Sequence, residues 1–123
     1  MIVDDHKDTG TALERLLKYA GTEAVSVTGG VEALAMLHVR KPSLMILDVN
    51  MPEMDGLTVL RTMKKDDELK DVKVLMYSAD PHLPTMVEAE RLGAVGFLLK
   101  GSVGFDDLVA RICGLAGEPS KPN

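Results

Sequence analysis

Polar side chains that could do chemistry together follow the apolar segments of this chain, one group after each segment. The sequence reads MIV before Asp4 and Asp5, LMIL before Asp48, VKVLMY before Ser78 and VGFLL before Lys100. Clustered carboxylates repel one another, and Mg²⁺ offsets that repulsion by binding one or two carboxylates together with waters and phosphate oxygens. A carboxylate nucleophile, a divalent cation, an ammonium and a hydroxyl are the parts that an incoming phosphoryl group needs.

Each of these side chains also has a simpler explanation when it is taken alone. An acid after a strand often caps the following helix, as Asp4 or Asp5 would. Asp48 precedes MPEMDG and could serve the turn there. An isolated hydroxyl or ammonium is most often solvated, and Phe97 alone would be a core aromatic residue. Their coincidence at successive strand ends favours a shared site.

The elements that must position these residues alternate between short apolar strands and amphipathic helices. Helical stripes such as Leu13, Leu16 and Leu17 contrast with strands that are apolar on both faces. The pattern predicts strands at 1–3, 23–27, 44–47, 72–78 and 95–99, and helices at 9–20, 30–40, 57–66, 84–92 and 105–116. Such a chain is an α/β protein with a doubly wound (βα)5 five-stranded parallel sheet and helices on both faces. All the polar residues above then lie at the carboxyl edge, where such sheets bind ligands.

Composition limits the class of protein and its surroundings. The 123 residues suit one domain, predicted at 1–116, with a polar, Pro-containing tail or linker at 117–123. The net charge of −5 is spread without a basic cluster, so neither nucleic acid nor membrane is an expected partner. The start lacks a signal-peptide pattern, and MIV is short for a central strand, which suggests that residues before Met1 are missing. A single cysteine, Cys113, predicts a reducing, cytoplasmic location.

Four segments give the chain a specific family resemblance. VDDHKDT, LMILDVNMPEMDG, MYSAD and GAVGFLLK resemble the characteristic segments of response-regulator receiver domains, and the likeness runs from Ile2 to Leu115. It implies a flavodoxin-like fold with strand order 2-1-3-4-5. It also implies a phosphorylation-switched signalling module rather than an enzyme, one that catalyses only its own phosphorylation and autodephosphorylation.

The resemblance implies a phosphoacceptor and a metal site. Asp48 would accept phosphoryl from a histidine kinase or a phosphotransfer protein. Mg²⁺ or Mn²⁺ would be held by Asp5, Asp48 and the backbone carbonyl of Asn50, while Asp4 would act through a metal-bound water.

The resemblance also implies a switch. Lys100 would pair first with the acid Asp48 and then with its phosphoryl group. Ser78 would hydrogen-bond that group, and Phe97 would turn inward. The surface of helix 4, strand 5 and helix 5 would then change. Through it the domain would regulate an effector protein or an output domain, or form a homodimer.

Some positions depart from the family pattern or tune it. Gly101 replaces the usual proline after the lysine, which predicts a trans Lys100–Gly101 bond because cis bonds before other residues are costly. Pro81 and Pro84 disfavour helix at the residues before them, so helix 4 should begin near Pro84 with His82 in an exposed loop. By resemblance, the polar residues Asn50 and Asp80 tune dephosphorylation.

Three alternatives remain at this stage. A haloacid-dehalogenase-type phosphatase would require a second aspartate where Asn50 stands, as its general acid. A flavodoxin would require a phosphate loop rich in Ser and Thr in place of DDHKDTG. A degenerate receiver domain would signal without phosphate, although this chain has all the site residues.

Overall fold

The computed structural model describes residues 1–115, which form one parallel sheet with helices on both faces. The strands lie in the order β2-β1-β3-β4-β5, which confirms the predicted topology. The strands are β1 Ile2–Val3, β2 Ser26–Val27, β3 Leu44–Leu47, β4 Lys73–Ser78 and β5 Gly96–Leu99. The helices are α1 Lys7–Tyr19, α2 Gly30–Val39, α3 Gly56–Lys64, α4 Leu83–Arg91 and α5 Phe105–Leu115.

The central strands are apolar on both faces because each face covers a separate hydrophobic core. In β3, Met45 and Leu47 pack into the larger core with residues of α2, α3 and α4. Leu44 and Ile46 point the other way, into a smaller core with residues of α1 and α5. This alternation explains the unbroken run LMIL, and it fixes the position of the residue that follows.

Element ends differ from the sequence prediction where pairing is sparse. β2 covers two residues rather than 23–27 because only Ser26 and Val27 pair in register with β1, although the Val25 carbonyl still accepts from the Ile2 N–H at 2.8 Å. Helix α1 begins at Lys7 rather than at residue 9, with His6 as its N-cap residue. The predicted helix end at 116 and the tail at 117–123 lie outside the described residues.

Two predictions about the loops are confirmed. Helix α4 begins at Leu83 with Pro84 in its first turn, where a missing N–H does no harm. All peptide bonds in residues 1–115 are trans, including Lys100–Gly101. Gly101 has a φ of +85°, a conformation that glycine adopts readily, so this loop turns without the family's proline.

Candidate functional site

The register of the sheet brings two acids together at its carboxyl edge. Val3 pairs with Leu47, so Asp4 and Asp48 come next on neighbouring strands. The Asp48 N–H donates to the Val3 carbonyl at 2.9 Å. Both side chains are almost fully buried, with exposed fractions of 3% for Asp4 and 4% for Asp48. Two carboxylates in such a place require nearby positive charge.

Lys100 supplies that positive charge. Its N–H donates to the Ser78 carbonyl at 2.8 Å, which extends the β4–β5 pairing beyond Leu99. Its Nζ lies 2.7 Å from Oδ2 of Asp4 and 3.6 Å from Oδ2 of Asp48. Lys100 thus lies near both acids, and its closer partner is Asp4 rather than the expected Asp48.

Tyr77 is a third partner of Lys100 that the sequence prediction misses. The ammonium lies 5.7 Å from the centroid of its ring, within the range of a cation–π interaction. Burial lowers the pKa of Lys100, but hydrogen bonding to Asp4 and the charges of Asp4 and Asp48 outweigh that effect and raise it. The lysine therefore stays charged and is held by three side chains, although Gly101 follows it. The position of Tyr77 directly before Ser78 is the signal that could have pointed to it.

Asp48 is an unusually weak acid for an aspartate. Burial and the negative charge of Asp4 raise its pKa from 3.8 to about 6, with a smaller contribution from Asp5. Lys100 opposes these effects. The carboxyl group is therefore mostly ionised near neutral pH, and the charged form is destabilised relative to a solvated aspartate.

The two acids after β1 differ in how many of their carboxylate oxygens have a hydrogen-bond or ion-pair partner. Oδ1 of Asp4 accepts from the His6 N–H at 2.8 Å, and Oδ2 pairs with Lys100, so both oxygens are engaged. Oδ1 of Asp5 is buried without a hydrogen-bond donor. Side-chain atoms of Asp4, Asp5, His6 and Asp48 lie within 4.8 Å of one another. An unsatisfied buried carboxylate oxygen among hard oxygen donors fits a divalent cation such as Mg²⁺.

The loop after β3 packs directly against the Asp48 peptide. A Cβ placed on Gly56 would lie 2.2 Å from the Asp48 carbonyl oxygen, so only glycine allows helix α3 to begin there. The Gly56 N–H donates to the Val49 carbonyl at 2.8 Å, and Asp55 caps the helix by accepting from the Thr58 N–H. Asn50 lies exposed on this loop beside Asp48.

The remaining predicted residues surround the same edge. Ser78 is fully buried, and its Oγ accepts from the N–H of the exposed Asp80 at 3.2 Å. Phe97 is partly buried and packs against the larger core. His82 is exposed as expected, with Nδ1 2.9 Å from Oγ1 of Thr85.

Replacing Lys100 with Met should destabilise the protein and weaken the acid at Asp48 further. Since Lys100 lowers the pKa of Asp48, its removal should raise that pKa above about 6. We expect a loss of roughly 2 kcal/mol in the free energy of unfolding, less than the ~3–5 kcal/mol of a fully buried pair. Urea denaturation and a carbon-13 NMR titration of the Asp48 carboxyl group measure both effects. Lys70→Met, at an exposed ion pair with Asp67, is the control and should change stability by no more than about 0.5 kcal/mol. An unchanged or lower pKa of Asp48 would contradict this account of the lysine.

The chain belongs to the response regulator receiver domain family, whose model matches residues 1–113. Response regulator receiver domains are parts of two-component systems. Because the chain belongs to this family, the phosphatase and flavodoxin alternatives that the sequence left open are excluded. Within residues 1–115, no helix combines the length and hydropathy that a membrane crossing requires.

Several known proteins resemble the chain over most of its length. The transcriptional regulatory protein PrrA of Mycobacterium tuberculosis is 35% identical over 112 residues, which are 91% of this chain and 47% of PrrA. The chain thus spans about half the length of that relative. The chemotaxis protein CheY of Pseudomonas aeruginosa is 34% identical over 81% of this chain and 82% of its own. A response regulator receiver protein from Pseudomonas putida superposes with a TM-score of 0.85 at 32% identity, covering 92% of this chain and 93% of that one.

Proposed function

We propose that Asp48 accepts a phosphoryl group from a histidine kinase or phosphotransfer protein, and that this modification switches the surface of α4, β5 and α5. The observation that supports this best is the ammonium of Lys100, 3.6 Å from a buried carboxylate with a pKa of about 6. The carboxylate is ionised at neutral pH and can act as a nucleophile. Attack by its free oxygen on the donor's phosphorus breaks the donor's P–N bond, and the donor histidine retains the electron pair.

Asp5, Asp48 and the backbone carbonyl of Asn50 would hold Mg²⁺ or Mn²⁺. Asp5 suits direct binding because its buried Oδ1 has no donor. Asp4 suits an indirect role through a metal-bound water, because both of its oxygens already have partners. The cation supplies positive charge to the transferring phosphoryl oxygens.

Two side chains would hold the transferred group. Lys100 needs only a short movement from Asp4 to reach a phosphoryl oxygen on Asp48. Ser78 would give up the Asp80 N–H, turn its hydroxyl toward the phosphoryl group and donate to it. Phosphorylation adds strong acceptor oxygens, which favour this arrangement over the unmodified one.

The surface that would respond has apolar side chains exposed to solvent. Leu83 and Val87 on α4, Val95 before β5 and Phe105 on α5 are all exposed. Inward rotation of Phe97, which packs at the edge of the larger core, would link the phosphorylation site to this surface. The surface would bind an effector, an output domain or a second copy of the chain in the cytoplasm.

Two separate samples test the function: one is incubated with beryllofluoride and Mg²⁺ and followed by NMR, and the other with acetyl phosphate and Mg²⁺ and followed by mass spectrometry. We expect a beryllofluoride complex with chemical-shift changes in α4, β5 and α5, and a mass gain of one phosphoryl group at Asp48. Asp48→Asn should show neither. If the unmodified protein forms no complex and gains no mass, the chain is a degenerate receiver domain that signals without phosphate.

The lifetime of the phosphorylated state should depend on Asn50 and Asp80. Both are exposed and polar beside the buried site, where they can orient an attacking water. We expect Asn50→Ala and Asp80→Ala each to change the first-order decay rate of Asp48 phosphate severalfold, measured by loss of radiolabel. Thr85→Ala, in the first turn of α4, should leave the rate unchanged. Unaltered decay in both site variants would contradict a tuning role.

A further inference from the structure

His6 places a nitrogen donor beside the carboxylates of the candidate metal site. Its Nδ1 lies 3.2 Å from Oδ1 of Asp4 and 3.3 Å from Oδ1 of Asp5. The side chain is 69% exposed, so the ring lies at the mouth of the site. The backbone N–H of His6 donates to Asp4 and fixes the main chain at the start of α1, and the contact of Nδ1 with Asp4 orients the ring.

These separations match those of ligand atoms that share one cation. Two ligands at about 2.0–2.1 Å from a tetrahedral Zn²⁺ are about 3.3 Å apart. The nearest oxygen of Asp5, Oδ1, is also the buried atom that lacks a donor. The imidazole nitrogen and this carboxylate oxygen can therefore bind the same ion once Nδ1 releases its 3.2 Å hydrogen bond to Oδ1 of Asp4.

The type of donor determines which cation gains from His6. Mg²⁺ takes oxygen ligands and keeps several waters, so it gains little from an imidazole. Zn²⁺ and Ni²⁺ bind imidazole well and exceed Mn²⁺ in affinity for mixed nitrogen and oxygen sites. A site with Asp5, Asp48 and His6 therefore offers borderline cations a ligand that it does not offer Mg²⁺.

We propose that His6 is an additional ligand that gives this receiver site high affinity for Zn²⁺ relative to Mg²⁺. This inference rests on the proposed function, because it assigns Asp5 and Asp48 to the same metal site. Zn²⁺ would then compete with Mg²⁺ at the phosphorylation site, and the available concentration of each would set which ion the site contains.

Isothermal titration calorimetry on variants with defined histidines tests the proposal. The chain has three histidines. His38 lies between Asp66 and Glu68 and could bind Zn²⁺ itself, so the reference protein is His38→Asn/His82→Asn, in which His6 is the only imidazole. Adding His6→Asn should weaken Zn²⁺ binding by at least roughly tenfold. Even the loss of a residue that only hydrogen-bonds to a metal ligand costs about that much affinity. The affinity for Mg²⁺ should change by less than about twofold, because Mg²⁺ takes oxygen ligands.

The location of binding is tested with Asp5→Asn in the same reference protein. This variant should weaken both Zn²⁺ and Mg²⁺, and NMR shifts on adding either ion should centre on Asp5 and Asp48. The proposal is overturned if the reference protein binds no Zn²⁺, if His6→Asn leaves the ratio of affinities unchanged, or if Asp5→Asn leaves Zn²⁺ binding intact. A failure of the proposed function is separate, because it would appear as the absence of a beryllofluoride complex with Mg²⁺ whatever residue stands at position 6.

Discussion

Replacing Asp48 with Asn should make the protein more stable at neutral pH, although it removes the proposed phosphoacceptor. Burial and the charge of Asp4 raise the pKa of Asp48 from 3.8 to about 6. Each pKa unit corresponds to about 1.4 kcal/mol, so the ionised carboxylate costs the folded state at most about 3 kcal/mol. An amide of the same shape avoids that cost.

The pH dependence gives the sign of this effect. A raised pKa means that the folded state binds the proton more tightly than the unfolded state does. The folded wild-type protein therefore has this extra stability in full below pH 3.8, where Asp48 is protonated in both states. It is lost as the pH rises through about 6. The advantage of Asp48→Asn should therefore be near zero below that window and complete at about pH 7.5.

Urea denaturation of both proteins across this pH range, without divalent cations, measures the difference. Asp67→Asn is a suitable control because Asp67 is 94% exposed, and it should show almost no such dependence. Equal stability of Asp48→Asn and the wild-type protein at neutral pH would mean that Lys100 fully offsets the cost of burying the ionised carboxylate.

Replacing Gly56 with Ala should destabilise the protein by about 3 kcal/mol, the upper part of the range for overpacking. The new Cβ would meet the Asp48 carbonyl oxygen at 2.2 Å and the Val49 Cα at 3.0 Å, and neither backbone atom can move aside cheaply. The start of α3 and the loop that carries Asn50 would have to shift. We therefore expect weaker Mg²⁺ binding together with the lower stability, measured by calorimetry and urea denaturation.

Gly114→Ala is the matched control for Gly56→Ala. Gly114 lies in α5, and a Cβ added there would have no neighbouring atom within 4 Å, so alanine should stabilise the helix by roughly 0.5–1 kcal/mol. A Gly56→Ala protein with unchanged stability and metal affinity would show that the β3–α3 loop is adaptable rather than tightly fitted.

The sequence predicts the topology well because its pattern is strong. The apolar run before Asp48 and the helical stripe at Leu13 and Leu17 each allow few arrangements, and the parallel topology then brings the strand ends to one edge. The bounds of β2 are less predictable, because only Ser26 and Val27 of the predicted strand at 23–27 pair in register with β1.

The details of the site depend on distances that no pattern contains. The sequence indicates that Lys100 meets acids, but its preference for Asp4 and its contact with Tyr77 depend on side-chain rotamers across several strands. The free oxygen of Asp5 is likewise visible only when the partners of Asp4 are known. The trans bond at Gly101 is predictable because it rests on local covalent energetics.

The presence of one ammonium, Lys100, among the three carboxylates of Asp4, Asp5 and Asp48 has a consequence for the order of events at this site. With all four groups ionised, the site has an excess of two negative charges and repels any phosphate-bearing molecule that approaches it. A bound divalent cation would cancel that excess, so donor encounter and cation occupancy become thermodynamically linked, and each favours the other to the same extent. If Asp48 accepts phosphoryl as proposed, the domain would respond to the coincidence of two chemical signals, an available cation and a charged donor, rather than to the donor alone.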